Sequence, residues 1–278
     1  MAKKRSPAAY ISFLLILLSA ISTKAQDLDT ILRHRLFFDD IFNHVDSRDE
    51  QASPLLYFGN GNPIGFGYVY TGRGYRHSLR LSFSASEVNA NVLKPDLQDD
   101  AVGRKVFFTN GFLTYTYEHD WGEAMEGKLR YFLGAALDNV AFLRDYKYRG
   151  GDIYSSGGGV AWEELNMLSA AVRAEYNLNG SERIYTELFL PVISLVGRPG
   201  YNVLNTNSSV IAWSNFHIVL LGGLIGWNYS LAFEQKLWDA LLLSASYRSR
   251  YYRYSWYGWT TSVLLQDVAL ELTWRFGL

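Results

Sequence analysis

The residues able to do acid–base or nucleophilic chemistry are few in this chain and poorly placed for it. The histidines His34, His44, His77, His119 and His217 are scattered along 278 residues. There is no cysteine, so thiolate nucleophiles, thiolate metal ligands and disulfides are excluded. His77 and Ser78 are sequence neighbours, and in an extended segment neighbours point to opposite faces. They cannot form a nucleophile–base pair. No His, Asp or Glu cluster has metal-ligand spacing. The stretch "GNGNPIGFG" at 59–67 has no helix after it, as a phosphate-cradling loop would need, and reads as a turn entering a strand. These features point to a non-enzyme without cofactors or metals. A formal net charge of -1 gives no sign of a nucleic-acid partner.

The other chemically capable groups are charges, and they come in rows. Arg76 and Arg80 share one parity of "YRHSLRLSFSASE", opposite Tyr75, His77, Leu79, Leu81 and Phe83. Glu126, Lys128 and Arg130 oppose Met125, Leu129 and Tyr131. Arg173 and Glu175 oppose Leu168, Ala170 and Val172. Glu234 opposes Leu231 and Phe233, Arg248 and Arg250 oppose Leu243 and Tyr247, and Glu271 and Arg275 oppose Leu272, Trp274 and Phe276. Strict alternation is the mark of a strand with two unlike faces. Charges of both signs gathered on one side imply a shared interior in which they pair.

The elements holding these rows are long. The alternating runs cover about 10 to 16 residues, against roughly 5 or 6 in ordinary strands and roughly 9–11 in membrane-crossing ones. Strands are expected at about 64–72, 75–87, 105–119, 125–140, 164–178, 182–197, 222–236, 239–254 and 262–278. An even total of about ten, with eight or twelve as alternatives, needs another strand, and "SPLLYF" at 53–58 is the candidate. Short turns such as Asn179-Gly180 alternate with longer connections. Pro191 within 182–197 predicts a bulge. By simple parity Phe189, Ile193 and Leu195 would all face inward, against a plug.

The first residues read as an export signal. Lys3, Lys4 and Arg5 precede the apolar run "YISFLLILLSAI", and Thr23 and Ala25 mark cleavage, which gives a signal peptide at 1–25. Residues 26–52 contain "LDTILRHRLFFDDIFNHVD", in which Ile31, Leu32, Leu36, Phe37, Ile41 and Val45 approach helical spacing. This predicts a short helix serving as plug or cap. The domain expected at 53–278 is an all-β, antiparallel, up-and-down transmembrane β-barrel.

The signal, the alternating strands and the aromatic-rich end "DVALELTWRFGL" resemble the outer-membrane β-barrel proteins of Gram-negative bacteria. That resemblance implies insertion by the barrel-assembly machinery, which reads the last strand, here through Trp274, Phe276 and Leu278. The final residue of that motif is most often aromatic and here is leucine. The resemblance also implies contact with outer-membrane lipid and lipopolysaccharide. The His-x-Ser pattern of the outer-membrane phospholipases is missing from "HSLRLS".

One corner exceeds what a membrane-interface girdle requires. In "YRSRYYRYSWYGWTT" at 247–261, the rings Tyr251, Tyr252, Tyr254, Trp256, Tyr257 and Trp259 accompany Arg253 at the outer rim. Rings and arginines together suit anionic glycolipid or a partner protein of the cell envelope. The expected function is that of a structural or interaction subunit of an envelope complex. A small-solute channel is the alternative, and a lipid-modifying enzyme ranks third.

Overall fold

The computed structural model describes residues 33–49, 53–90, 105–147, 159–198, 216–256 and 258–277. The export signal expected at 1–25 lies outside them. The described chain consists of strands and their turns: β1 (His34–Asp49), β2 (Ser53–Gly61), β3 (Ile64–Thr71), β4 (Tyr75–Ala90), β5 (Lys105–Ala124), β6 (Leu129–Lys147), β7 (Gly159–Asn179), β8 (Glu182–Gly197), β9 (Phe216–Leu220), β10 (Leu224–Trp238), β11 (Leu241–Trp256) and β12 (Trp259–Phe276).

All neighbours pair antiparallel, and the sheet closes because β12 pairs with β1, from His34 opposite Phe276 to Asp49 opposite Thr261. The 12 strand segments exceed the expected ten because two staves of the wall are broken. β2 and β3 occupy one place, both lying between β1 and β4. Pro63 sits in that break. It has no N–H for the ladder, and its carbonyl accepts the Ile41 N–H at 3.1 Å. β9 and β10 both pair with β8, one after the other along it, and β10 alone continues to β11. Their break, Leu221–Gly223, lies across from Pro191, where the β8–β10 ladder stops at Phe189 and the β8–β9 ladder begins at Ile193.

The bulge expected at Pro191 is present, since Leu168 pairs with Ile193 but Ser169 with Pro191. Its effect on orientation was not foreseen. One extra residue flips the parity. Phe189 faces the interior, but Ile193 turns outward, and Ser194 and Val196 turn in.

The helix expected within 26–52 is instead strand β1, the stave that closes the barrel, so the barrel begins before residue 53. The reason lies in its two faces. Leu36, Phe38 and Phe42 point out, while Phe37, Ile41 and Val45 point in beside Asp39 and Asn43. Apolar residues on both faces hide the period of two and imitate helical spacing.

The outer wall explains the solvent of each face. Leu36, Phe38, Phe66, Leu79, Leu133, Leu137, Leu272 and Trp274 are exposed together around the barrel. Such a belt is unstable in water and is matched by lipid. At one edge it meets a collar of rings, in which His34, Tyr70, Tyr75, His77 and Tyr117 lie within ring-contact distance of one another in a chain.

Phe276 belongs to this collar and stacks on His34 across the closing seam, with centroids 5.4 Å apart and planes at 20°. Trp274 lies on the same outward row and is exposed. Leu278 lies outside the described residues. Replacing Phe276 with Asp should reduce the folded, heat-modifiable form on gels by more than half, because a charge would replace a ring at the lipid edge of the last strand. Normal folding would contradict the role given to this residue.

Candidate functional site

The interior has two chemically distinct halves. The half nearest His34 and Phe276 and the tight turns holds a charge network built from the inward rows of most staves, and many links cross the bore. Arg76 on β4 contacts Glu118 at 2.6 Å and Glu187 on β8 at 3.2 Å. Arg80 contacts Glu271 on β12 at 2.6 Å. Arg248 on β11 reaches Asp39 on β1 at 3.0 Å and Glu271 at 3.6 Å. Arg173 bonds Glu175 at 2.5 Å and also Glu187. Arg183 contacts Glu175 at 3.0 Å and also Glu234, which Arg35 approaches at 3.6 Å. Arg250 lies 3.4 Å from Asp267. Guanidinium groups also stack on rings, Arg173 on Tyr185 at 3.9 Å, Arg250 on Phe112 at 4.2 Å and Arg80 on Phe37 at 4.5 Å. A cavity of about 60 Å³ remains among these groups, room for a few waters.

One stave makes this crowding possible. On β2 and β3 the inward positions are Tyr57, Gly59, Gly61, Pro63, Gly65, Gly67 and Val69. A Cβ at Gly65 would lie 2.9 Å from Asp39 Oδ2, and one at Gly67 would collide with the Phe37 ring and the Leu79 carbonyl. Side chains of β1 and β4 therefore lie across bare backbone. The stretch 59–67 is thus a hollowed stave, a role beyond the strand-entry turn suggested by its glycines.

The other half of the interior is apolar. Val45, Val88, Val106, Phe108, Phe112, Val140, Phe142, Leu165, Met167, Val196, Leu224, Tyr252, Val263 and Leu265 form one buried cluster with members from the staves all round the ring. Phe142 on β6 lies 5.6 Å from Phe108 and 6.3 Å from Tyr252 on β11, well round the bore. Above this layer Arg144 bonds Glu163 and donates to Ser47 Oγ at 3.1 Å, while Tyr254 donates to Glu163 and Arg198 to Thr261. The interior is therefore filled along its length by ion pairs, then apolar side chains, then a second polar layer.

Of the expected inward charges, Arg76, Arg80, Arg173, Glu175, Glu234, Arg248, Arg250, Glu271 and Arg275 point into the bore. Arg130 sits at its mouth, 2.5 Å from Asp120. Glu126 and Lys128 do not face the bore. They occupy the exposed turn between β5 and β6, where Met125 and Glu126 both take positive φ. Alternation cannot continue through such a turn. Sequence reasoning missed Asp39 and Arg35, because β1 was read as helix, and Arg183 and Asp267, although each shares parity with inward neighbours.

Of the histidines on the strands, His34, His44, His77 and His119 lie on the outer wall, whereas His217 on β9 pairs in register with the buried Val196 and shares the inward row of Val219. His34 Nδ1 is 2.5 Å from Tyr68 OH, His77 Nδ1 is 2.7 Å from Tyr115 OH, and His44 Nδ1 is 2.8 Å from Asn60 Oδ1. Ser78 lines the inner cavity, so the wall separates it from His77.

The outer-rim corner divides in the same way. Tyr252 and Tyr254 are buried in the interior and belong to the apolar layer and its polar cap. Rings on both parities are thus explained in part by the core. Tyr251 faces outward, 4.6 Å from Trp227, and Arg253 is exposed. Trp256 and Trp259 pair in register at the hairpin tip, where Gly258 takes φ 82°. Tyr257 lies outside the described residues.

No family model and no curated protein matches this sequence. Among solved structures, the chain is similar to the outer membrane protease OmpT from Escherichia coli, with a TM-score of 0.52 and 7% identity over 91% of this chain and 99% of that one. The translocator domain of autotransporter NalP from Neisseria meningitidis has a TM-score of 0.43, with 11% identity over 97% of both chains. An outer membrane channel from Pseudomonas putida F1 has a TM-score of 0.41, with 8% identity over 92% of this chain and 100% of that one. At such identities only the OmpT likeness carries weight, and it speaks for the fold alone. With the closed antiparallel ring and the lipid-matched belt, it makes this chain an outer-membrane β-barrel, with its place in the bacterial outer membrane.

Proposed function

We propose that this barrel is a non-enzymatic structural or interaction subunit of an envelope complex, not a conduit. The observation that supports this most is the filled interior. Opposite charges pair across one half of the bore, and an apolar layer occupies the other. A path for polar solutes would require both to be dismantled, at a cost of several kcal/mol for each unpaired ion. The placement of Ser78 inside and His77 outside supports a non-catalytic role.

In this reading the outer surface does the work. The exposed Arg253, with Tyr251 and Trp227 below it, suits an anionic glycolipid such as lipopolysaccharide at the outer rim. The last strand, through Trp274 and Phe276, serves the assembly machinery. The test is native electrophoresis of gently solubilised membranes. The protein should migrate in a discrete complex well above its 31.6 kDa, with a constant partner. Migration as a lone chain under every mild detergent would overturn the proposal.

A further inference from the structure

The lipid-facing belt carries polar side chains at two places: on β6 and β7, Asn139, Glu164 and Asn166 hydrogen-bond one another on the outward rows, and on β1 a carboxylate stands without such partners. Asp40 lies on the outward row of β1 between Phe38 and Phe42, and it is exposed. Its lateral neighbours are Leu270 on β12 and Ile64 on β3. Phe42, Ile64 and Val268 around it are each about half exposed, as lipid-facing residues are. The Asp40 side chain forms no ion pair or hydrogen bond among the described residues. It stands six residues above His34 of the ring collar. At roughly 3.3 Å per residue and a tilt near 40°, it is about 15 Å into an apolar band about 25 Å tall.

Asp40 is also the lower end of a polar track. Asn62, exposed at the β2–β3 break, lies beside Phe42. Above it His44 bonds Asn60 at 2.8 Å and approaches Asp46 at 3.3 Å. Asn60 pairs in register with the exposed Glu87 of β4. The track climbs from within the belt to the outer rim across three adjacent staves, with the carboxylates Asp40, Asp46 and Glu87 along it and the exposed Arg48 at its top. On either side Leu270, Val268 and Phe83 keep the belt apolar.

Lipid tails cannot hydrogen-bond these groups, and an intramembrane carboxylate without a partner is costly. We infer that the β1–β2–β4 face is the surface through which this barrel binds the membrane-embedded wall of a different protein, one that presents basic or hydrogen-bond-donating side chains at the depth of Asp40. A second copy of this chain fits poorly. A two-fold axis along the membrane normal would set Asp40 against Asp40 at equal depth, two like charges in a low dielectric. The inference rests on the interaction reading above and assigns it a face.

The test uses the full-length chain in its own membrane, with a benzophenone amino acid in place of Phe42 and, separately, of Ile64. The control site is Val172 on the opposite wall, flanked by Leu133 and Leu188. Illumination should give one discrete adduct with one other protein from positions 42 and 64, and none from 172. Asp40→Leu should lower the adduct at least ten-fold while the barrel stays heat-modifiable, and Asp40→Glu should retain it. No adduct, adducts with many proteins, an adduct of twice the chain's mass, or an adduct unchanged by Asp40→Leu would each overturn the inference. Native electrophoresis of the same samples keeps the two readings apart. A persistent complex without the adduct removes only this face, whereas loss of any complex in the unmodified protein removes the interaction reading itself.

Discussion

Gly67→Val should abolish folding of the barrel. The new side chain would enter the space held by the Phe37 ring and press on the Leu79 carbonyl, which is backbone and cannot rotate away. Phe37 in turn supports the Arg80 guanidinium 4.5 Å above it, and Arg80 holds Glu271 at 2.6 Å. Overpacking alone costs about 1–3 kcal/mol and sometimes more. Separating a buried ion pair adds about 3–5 kcal/mol. Together these approach the whole stability of a typical domain. Gly67→Ala should be destabilised in the same direction but less. Heat-modifiable migration and denaturant unfolding in lipid vesicles would measure both, and a Gly67→Val protein of native stability would show that the hollowed stave has no packing role.

Arg173→Met should cost about 3–5 kcal/mol. Arg173 is almost fully buried, bonds Glu175 and Glu187 and stacks on Tyr185. Its loss leaves Glu187 to Arg76 and Glu175 to Arg183, with one negative charge in excess inside the bore. Adding Glu187→Gln removes that excess and should recover part of the loss, as coupled neighbours do in a double-mutant cycle. Denaturant unfolding in vesicles is the readout. A single-variant cost under about 1 kcal/mol would mean that water, not Arg173, balances these carboxylates.

The architecture was legible where the two faces of a strand differ. In β12 the row Val268, Leu270, Leu272 and Trp274 opposes Glu271 and Arg275, and in β11 Tyr247 opposes Arg248, so both faces could be assigned by parity alone. It was hidden where the interior is itself apolar. β1 places Phe37, Ile41 and Val45 inside and Leu36, Phe38 and Phe42 outside. Its inner row mixes these with Arg35, Asp39 and Asn43, and its outer row carries Asp40, His44 and Asp46, so neither face was uniform and the stretch resembled a helix. The same effect concealed the apolar layer, since Leu165 and Met167 face in while Leu168 faces out, and a local sequence window cannot tell lipid from core. The turn at Met125 to Lys128 misled in another way, because alternation was extended into residues with positive φ. Asp40 reads in the sequence as one of two adjacent aspartates. Only the register separates Asp39, paired in the bore with Arg248, from Asp40 on the lipid-facing wall.

The filled bore is the central claim, and planar-bilayer recording of the purified, unmodified barrel tests it most directly. The pairing of Arg76, Arg80, Arg173 and Arg248 with carboxylates across the bore, and the layer around Phe108, Phe142 and Tyr252, predict no steady conductance at any moderate voltage. Large, reproducible open steps from the unmodified protein would contradict it, and would make the barrel a channel.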